Sequence, residues 1–103
     1  MLTSKQRAFL KGLASTEDTI LMAGKGGLSP ELLKQADDAL TARELIKGKA
    51  LETAPDSPAE TAAQIAQAVS AEVVQVIGSK FVLYRRNPEK PVIELPKAER
   101  KRG

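Results

Sequence analysis

The spacing of hydrophobic positions changes several times along the chain, and each change predicts a new secondary-structure element. Apolar residues recur at helical spacing, which predicts amphipathic helices, over about 4–14, from 30 and from 58. Short apolar or alternating runs, which are typical of strands, occupy 19–23, 44–50, 73–77 and 81–84. The predicted order is therefore α-β-α-β-α-β-β.

This order predicts a mixed sheet. Each strand-helix-strand unit gives a parallel pair, whereas the glycine-containing turn at 78–80 joins the last two strands as an antiparallel hairpin. We expect a small α/β domain of the α+β two-layer kind, in which helices cover a four-stranded sheet.

The predicted helix starts carry capping signals. Thr3 and Ser57 are each followed, at the third helical position, by Gln or Glu, which is the capping-box pattern. Ser29 precedes Pro30, and proline is favoured at the first helical position. These signals fix where the three helices begin.

One domain accounts for most of the chain. The length of 103 residues suits a single core, which we assign to 1–96. Flanking prolines limit 92–95 to a short extended piece, a candidate to extend the sheet edge. Residues 97–103 are basic and almost devoid of apolar side chains, which predicts a disordered tail.

The composition excludes much familiar chemistry. The chain contains no Cys and no His, so disulfides, Cys/His zinc sites, thiol nucleophiles and an imidazole general base are excluded. Its aromatic residues are Phe9, Phe81 and Tyr84, too few for an extended base-stacking platform. No apolar run approaches the length of a membrane span. We expect a non-enzymatic, cytoplasmic protein with no cofactor, small-molecule substrate or membrane partner.

Charge is distributed unevenly along the chain. The formal total is +3, but residues 1–49 carry a net +2, residues 50–79 a net −4 and residues 80–103 a net +5. Such asymmetry indicates one basic and one acidic side.

A glycine-rich loop is the strongest candidate for binding chemistry. The tetrapeptide GKGG at 24–27 lies between a predicted strand and the N-cap of a predicted helix. There, free backbone amides and the helix dipole favour an anion, and glycine lets a phosphate approach closely. A plain strand-to-helix turn that needs positive φ explains the same residues equally well. The loop lacks the frame of a nucleoside-triphosphate loop.

Basic residues on the strands allow two interpretations. Lys47 and Lys49 share one strand face with Leu45, where they either solvate that face or contact phosphates. Arg85 follows the last predicted strand, and Tyr84 before it either stacks on a base or fills the core.

Four segments together resemble a known family. They are LKGLA at 10–14, GKGGL at 24–28, ELIKGK at 44–49, and VIG at 76–78 with VLYR at 82–85. In this order they resemble the chloroplast RNA splicing and ribosome maturation (CRM) domain, and the length is similar to its stand-alone bacterial YhbY type. Gly48 departs from the family, which usually has a β-branched residue there, and it is a candidate bulge.

The resemblance implies both fold and function. It implies a fold similar to the C-terminal domain of translation initiation factor 3, and a GxxG loop that holds the RNA backbone. The implied partner is RNA, specifically ribosomal RNA in large-subunit precursors, bound by a monomer whose acidic third helix faces away. The candidate RNA-binding residues are Gly24, Lys25, Gly26, Gly27, Ser29, Arg7, Lys11, Lys47, Lys49 and Arg85.

Two other functions fit the sequence. A ribosome-associated protein-protein adaptor would use the sheet face or the acidic third helix. A small nucleotide-binding protein would use the glycine loop for a free nucleotide.

Overall fold

Residues 2–95 are described by a computed structural model, and they form seven elements in the predicted order. The helices are α1 (Ser4–Ala14), α2 (Pro30–Arg43) and α3 (Pro58–Val69). The strands are β1 (Thr19–Ala23), β2 (Leu45–Ala50), β3 (Glu72–Ile77) and β4 (Lys80–Tyr84). The tail predicted at 97–103 lies outside the described residues. No helix within 2–95 has the length and hydropathy needed to cross a membrane.

The predicted capping boxes are present. The Thr3 hydroxyl accepts the Gln6 amide at 3.1 Å, and the Gln6 side chain accepts the Thr3 amide at 3.1 Å. Ser57 caps α3 in the same reciprocal way, and Ser29 caps α2. The amides that a helix leaves unpaired at its start are thereby satisfied locally.

The sheet is mixed, as predicted, with strand order β1-β2-β4-β3. β1 pairs with β2 in parallel, whereas β4 pairs antiparallel with both β2 and β3. The hairpin therefore places β4 beside β2, in the interior of the sheet, and leaves β1 and β3 at its edges.

One face of the sheet is covered by α2 and α3, and we call it the α2/α3 face. Their apolar stripes pack on strand residues that include Leu21, Ile46, Phe81 and Leu83, all almost inaccessible to solvent. The helices contribute Leu32, Ala36, Leu40, Ala62, Ile65, Ala66 and Val69. Burial of this contiguous apolar set is the main stabilising term of the fold.

The opposite face, the α1 face, has a smaller core. Leu10 and Ala14 of α1 pack there on strand residues, with Leu2, Leu13, Ile93 and Leu95 at the margin. The strand residues are Leu45, Val74, Val82 and Tyr84. Helices thus cover both faces rather than forming the expected two layers, because α1 buries its stripe on the side that α2 and α3 leave open.

Glu44 ends α2 and ties the C-terminal segment to the domain. It is fully buried and has φ 66°. Its carboxylate accepts backbone amides from Asn87 at 2.5 Å, Val92 at 2.8 Å and Ile93 at 2.6 Å. The expectation that 92–95 extends the sheet is wrong, because amides that a ladder would use are bonded to this carboxylate.

Side chains cap carbonyl groups on both edge strands. The Arg7 guanidinium donates to the carbonyl oxygens of Val73 at 2.6 Å and Val74 at 3.1 Å in β3. The Gln35 amide donates to the Ile20 carbonyl of β1 at 3.1 Å. On each edge strand, at least one backbone carbonyl is therefore already hydrogen-bonded to a side chain of the same chain.

Candidate functional site

The glycine loop at 24–27 is a tight turn between β1 and α2. It is closed by a hydrogen bond from the Gly27 amide to the Gly24 carbonyl at 2.9 Å. Lys25 and Gly26 are exposed at its tip. The structure therefore presents bare backbone and one cation at the end of the strand.

The glycines of this loop have different reasons to be glycine. Gly27 has φ 65°, and a Cβ there would lie 3.1 Å from the Pro55 ring, so conformation and packing both favour glycine. A Cβ at Gly24 would lie 3.4 Å from the Leu51 side chain. At Gly26, a Cβ would meet nothing within 4 Å and φ is not positive. Nothing in the described part of the chain requires glycine at position 26.

The start of α2 has fewer free backbone amides for binding an anion than the sequence suggested. Pro30 has no N–H, and the amides of Leu32 and Leu33 are bonded to the side chain and carbonyl of Ser29. Glu31 adds a carboxylate in the first turn. Any anion at this loop would depend more on the exposed tip than on the helix end.

Lys49 and Lys80 lie at the end of the sheet next to the glycine loop. Because β1 and β2 are parallel, both end at that side. The β3–β4 hairpin reaches the same side, where the Ala50 amide donates to the Ser79 carbonyl at 2.8 Å. Lys49 is paired in register with Lys80. Lys80 was missed by the sequence analysis, because its position depends on β4 lying beside β2.

Lys47 and Lys49 lie half-buried on the α1 face, as the alternation of β2 predicts. β2 pairs with β4 without interruption through Gly48 and Phe81, so Gly48 marks no bulge in its own strand. The irregularity lies in β1, opposite Gly48. A Cβ at Gly48 would be 2.5 Å from two ring atoms of Phe81, so that ring fills the space a side chain would need.

Five lysines form what we call the lysine surface. They are Lys11, Lys25, Lys47, Lys49 and Lys80, at the loop end and on the adjoining α1 face. Within residues 2–95, none of them forms an ion pair. Helix α3, in which Glu60 is the only charged residue, lies on the opposite face. In this part of the chain the five ammonium groups therefore have no direct ion pair, and the carboxylates in the neighbouring loop are those of Glu52 and Asp56.

Arg7 and Lys11 are one helical turn apart but have different surroundings. Arg7 is held by the β3 carbonyls and is part of the fold. Lys11 is exposed and lines a groove together with Lys47 and Lys80. Only Lys11 of this pair joins the lysine surface.

Arg85 lies at the opposite end of the sheet from the loop, because β4 runs antiparallel to β2. Its guanidinium donates to the Asp37 carboxylate at 2.6 Å, the Val69 carbonyl at 2.9 Å and the Thr41 hydroxyl at 2.8 Å. The Arg85 side chain is only 21% exposed. These bonds join α2, α3 and the end of β4, so we leave Arg85 out of the proposed site.

Tyr84 fills the core rather than offering a stacking surface. Its side chain is buried on the α1 face. Burial, reinforced by the nearby Glu44 carboxylate, raises the pKa of the Tyr84 phenol above its ordinary value. Of the two interpretations of Tyr84, the structure supports the core residue. Within residues 2–95, no cluster of carboxylates could hold a metal ion.

Known proteins resemble the chain over most of its length. The family model described as CRS1 / YhbY (CRM) domain matches residues 2–85. The "Probable RNA-binding protein YqeI" of Bacillus subtilis is 38% identical over 96 residues, which are 93% of this chain and 100% of that protein. An "RNA-binding protein" of Haemophilus influenzae is 36% identical over 96 residues, covering 93% of this chain and 96% of that protein.

A solved structure has the same fold. The solution structure of a hypothetical Staphylococcus aureus protein, described as a candidate RNA-binding protein, superposes with a TM-score of 0.77. It is 46% identical in sequence, and the match covers 93% of this chain and 100% of that one.

Proposed function

This chain belongs to the CRS1/YhbY (CRM) domain family, and we propose that it binds RNA through the loop at 24–27 and the lysine surface. Relatives that match it almost end to end carry RNA-binding names. The family resemblance further supports ribosomal RNA in large-subunit precursors as the target.

One observation carries the proposal: the lysines lack carboxylate partners and adjoin an exposed glycine that the fold does not need. A phosphate can approach the backbone at Gly26 more closely than it could approach a residue with a side chain. The neighbouring ammonium groups supply the charge that neutralises successive phosphates.

The proposed contacts go to the sugar-phosphate backbone, which positions a protein on RNA without reading its sequence. A lysine is a flexible point charge and suits this task. The lysines extend from the loop tip across the α1 face, so the RNA would follow that path.

Replacement of Gly26 by Asp tests the site. The carboxylate would meet the phosphate path, so we expect RNA binding to be abolished in a filter-binding titration. Gly26→Ala separates bulk from charge, because its methyl group meets nothing in the protein and carries no charge, so we expect it to weaken RNA binding less than Gly26→Asp does. Unchanged affinity of Gly26→Asp would refute the loop assignment.

The target is tested by crosslinking the protein to RNA in cells and sequencing the crosslinked positions. Crosslinks in large-subunit ribosomal RNA would support the target. Ribosome association that survives both nuclease treatment and Lys25→Ala would instead support the protein-protein adaptor.

A further inference from the structure

A groove opens on the α1 face where the last turn of α1 meets β2, β4 and β3. Its volume is about 300 Å³, near the lower end for small-ligand sites. Its lining residues are Lys11, Ala14, Ser15, Lys47, Gln75, Ile77, Lys80, Phe81 and Val82. α1 ends at Ala14, so the sheet beyond that point has no helix above it.

The chemistry of the groove combines an apolar floor with a cationic rim. Ala14, Val82 and Ile77 provide apolar surface, and Ile77 is 63% exposed. Three of its lining residues are unpaired lysines, and none is acidic. A matching occupant has a flat, largely apolar part and a negative charge beside it.

A bulge in β3 turns one polar side chain toward this groove. The register passes from Val73 opposite Leu83 to Gln75 opposite Val82, so Val74 and Gln75 both oppose Val82. Val74 packs in the α1-face core, and Gln75 lines the groove. Bulges commonly re-aim a side chain in this way. Within residues 2–95, the side-chain amide of Gln75 has no hydrogen-bond partner.

We propose that this groove receives the base of one unpaired RNA nucleotide, with adjoining phosphates on the lysines. The inference rests on the proposed function and makes it more specific, because it assigns the chain to RNA with a splayed-out nucleotide. A side-chain amide can donate to and accept from a base edge, and such edges are accessible only where bases are unpaired. The apolar floor contacts the base face, so no aromatic platform is needed.

Three RNA hairpins test the proposal: one with a single bulged uridine, one with an abasic residue at the bulge, and one fully paired. We expect the wild-type protein to bind the bulged hairpin about tenfold more tightly than the abasic one, because only the bulged hairpin offers a base edge to the Gln75 amide. The variants Gln75→Ala and Ile77→Ala should lose this preference and keep the affinity for the paired hairpin.

Val76→Ala is the matched control, because Val76 is the neighbour of both residues, pairs with Phe81 and does not line the groove. It should keep the preference. Thermal denaturation checks that all variants remain folded.

The proposal and the proposed function fail in different ways. Equal wild-type affinity for the bulged and abasic hairpins overturns the groove assignment alone, and so does displacement of the bulged hairpin by free uridine monophosphate, which would identify a site for free nucleotides. If Gly26→Asp binds each of the three hairpins as tightly as the wild-type protein does, the loop assignment is refuted. Absence of binding to every hairpin refutes both.

Discussion

The two faces of the sheet differ in how completely helices cover them. On the α2/α3 face, two helices of 14 and 12 residues bury a continuous apolar core. On the α1 face, one helix of 11 residues spans only about 16 Å, so part of the sheet stays uncovered. The uncovered part carries Lys47, Lys49 and Lys80 beside exposed Met22 and Ile77.

The difference indicates where the domain can change at low cost. Substitutions on the α2/α3 face meet close-packed neighbours, whereas those on the lysine surface meet water. Stability and the proposed RNA affinity should therefore respond to different residues.

The largest effect is expected on the closed face. Gly48→Ala places a methyl group 2.5 Å from the buried Phe81 ring, which must move within a packed core. We expect a loss of about 3 kcal/mol in the free energy of unfolding, measured by urea denaturation. Gly26→Ala serves as the control and should be nearly neutral. Equal stability of the two variants would mean that the ring has room to shift.

A smaller effect is expected where the C-terminal segment is fastened on the α1 side. In Glu44→Gln, the side-chain amide replaces one acceptor oxygen and opposes a backbone N–H. We expect a loss of about 2 kcal/mol. Hydrogen exchange should show faster exchange at Asn87, Val92 and Ile93, whose amides the carboxylate binds. Unchanged protection of these amides would contradict the fastening role.

Arg85 and Lys47 should separate stability from binding. Arg85→Gln loses charged hydrogen bonds between elements, and we expect it to lower the free energy of unfolding by about 1–2 kcal/mol. Its RNA affinity should stay unchanged at temperatures where it is folded. Lys47→Ala should do the reverse, with a change in stability within about 0.5 kcal/mol. Weaker RNA binding by folded Arg85→Gln would return Arg85 to the site.

The smallest change is expected in the salt dependence of binding to single-stranded RNA. If about four to six phosphates are neutralised, the log-log slope of affinity against salt should be about −3 to −4. The double variant Lys49→Ala/Lys80→Ala should reduce its magnitude by about 1.4. A wild-type slope near zero would show that charge does not drive binding.

The sequence predicted what local patterns determine. The capping residues Thr3, Ser29 and Ser57 act within their own first turns, and hydrophobic spacing located every helix and strand. The strand order and the neighbours of Lys80 depend on pairings between distant segments, which spacing does not encode. The sequence pattern predicted Glu44 as the first residue of a strand. Its role in binding backbone amides was not predictable, because its three partners lie more than 40 positions away.

The candidate site was predicted in part. The loop and the facing of Lys47 and Lys49 followed from turn and strand patterns, and Gly48 was recognised as unusual. Its reason, the Phe81 ring, required the pairing of β2 with β4. Nothing local distinguished Arg7 and Arg85 from the exposed lysines, since their carbonyl and carboxylate partners come from other elements. The similarity to the C-terminal domain of translation initiation factor 3 stays a prediction.

The side chains that cap the two edge strands also affect how neighbouring molecules interact at high local concentration. Unprotected strand edges allow sheets of neighbouring molecules to join and aggregate. Arg7 occupies two carbonyls of β3 and Gln35 occupies one carbonyl of β1, so a neighbouring molecule would find these positions already hydrogen-bonded. Those three carbonyls can pair with a strand of a second molecule only by giving up a hydrogen bond within their own chain, which disfavours joining of sheets at these positions.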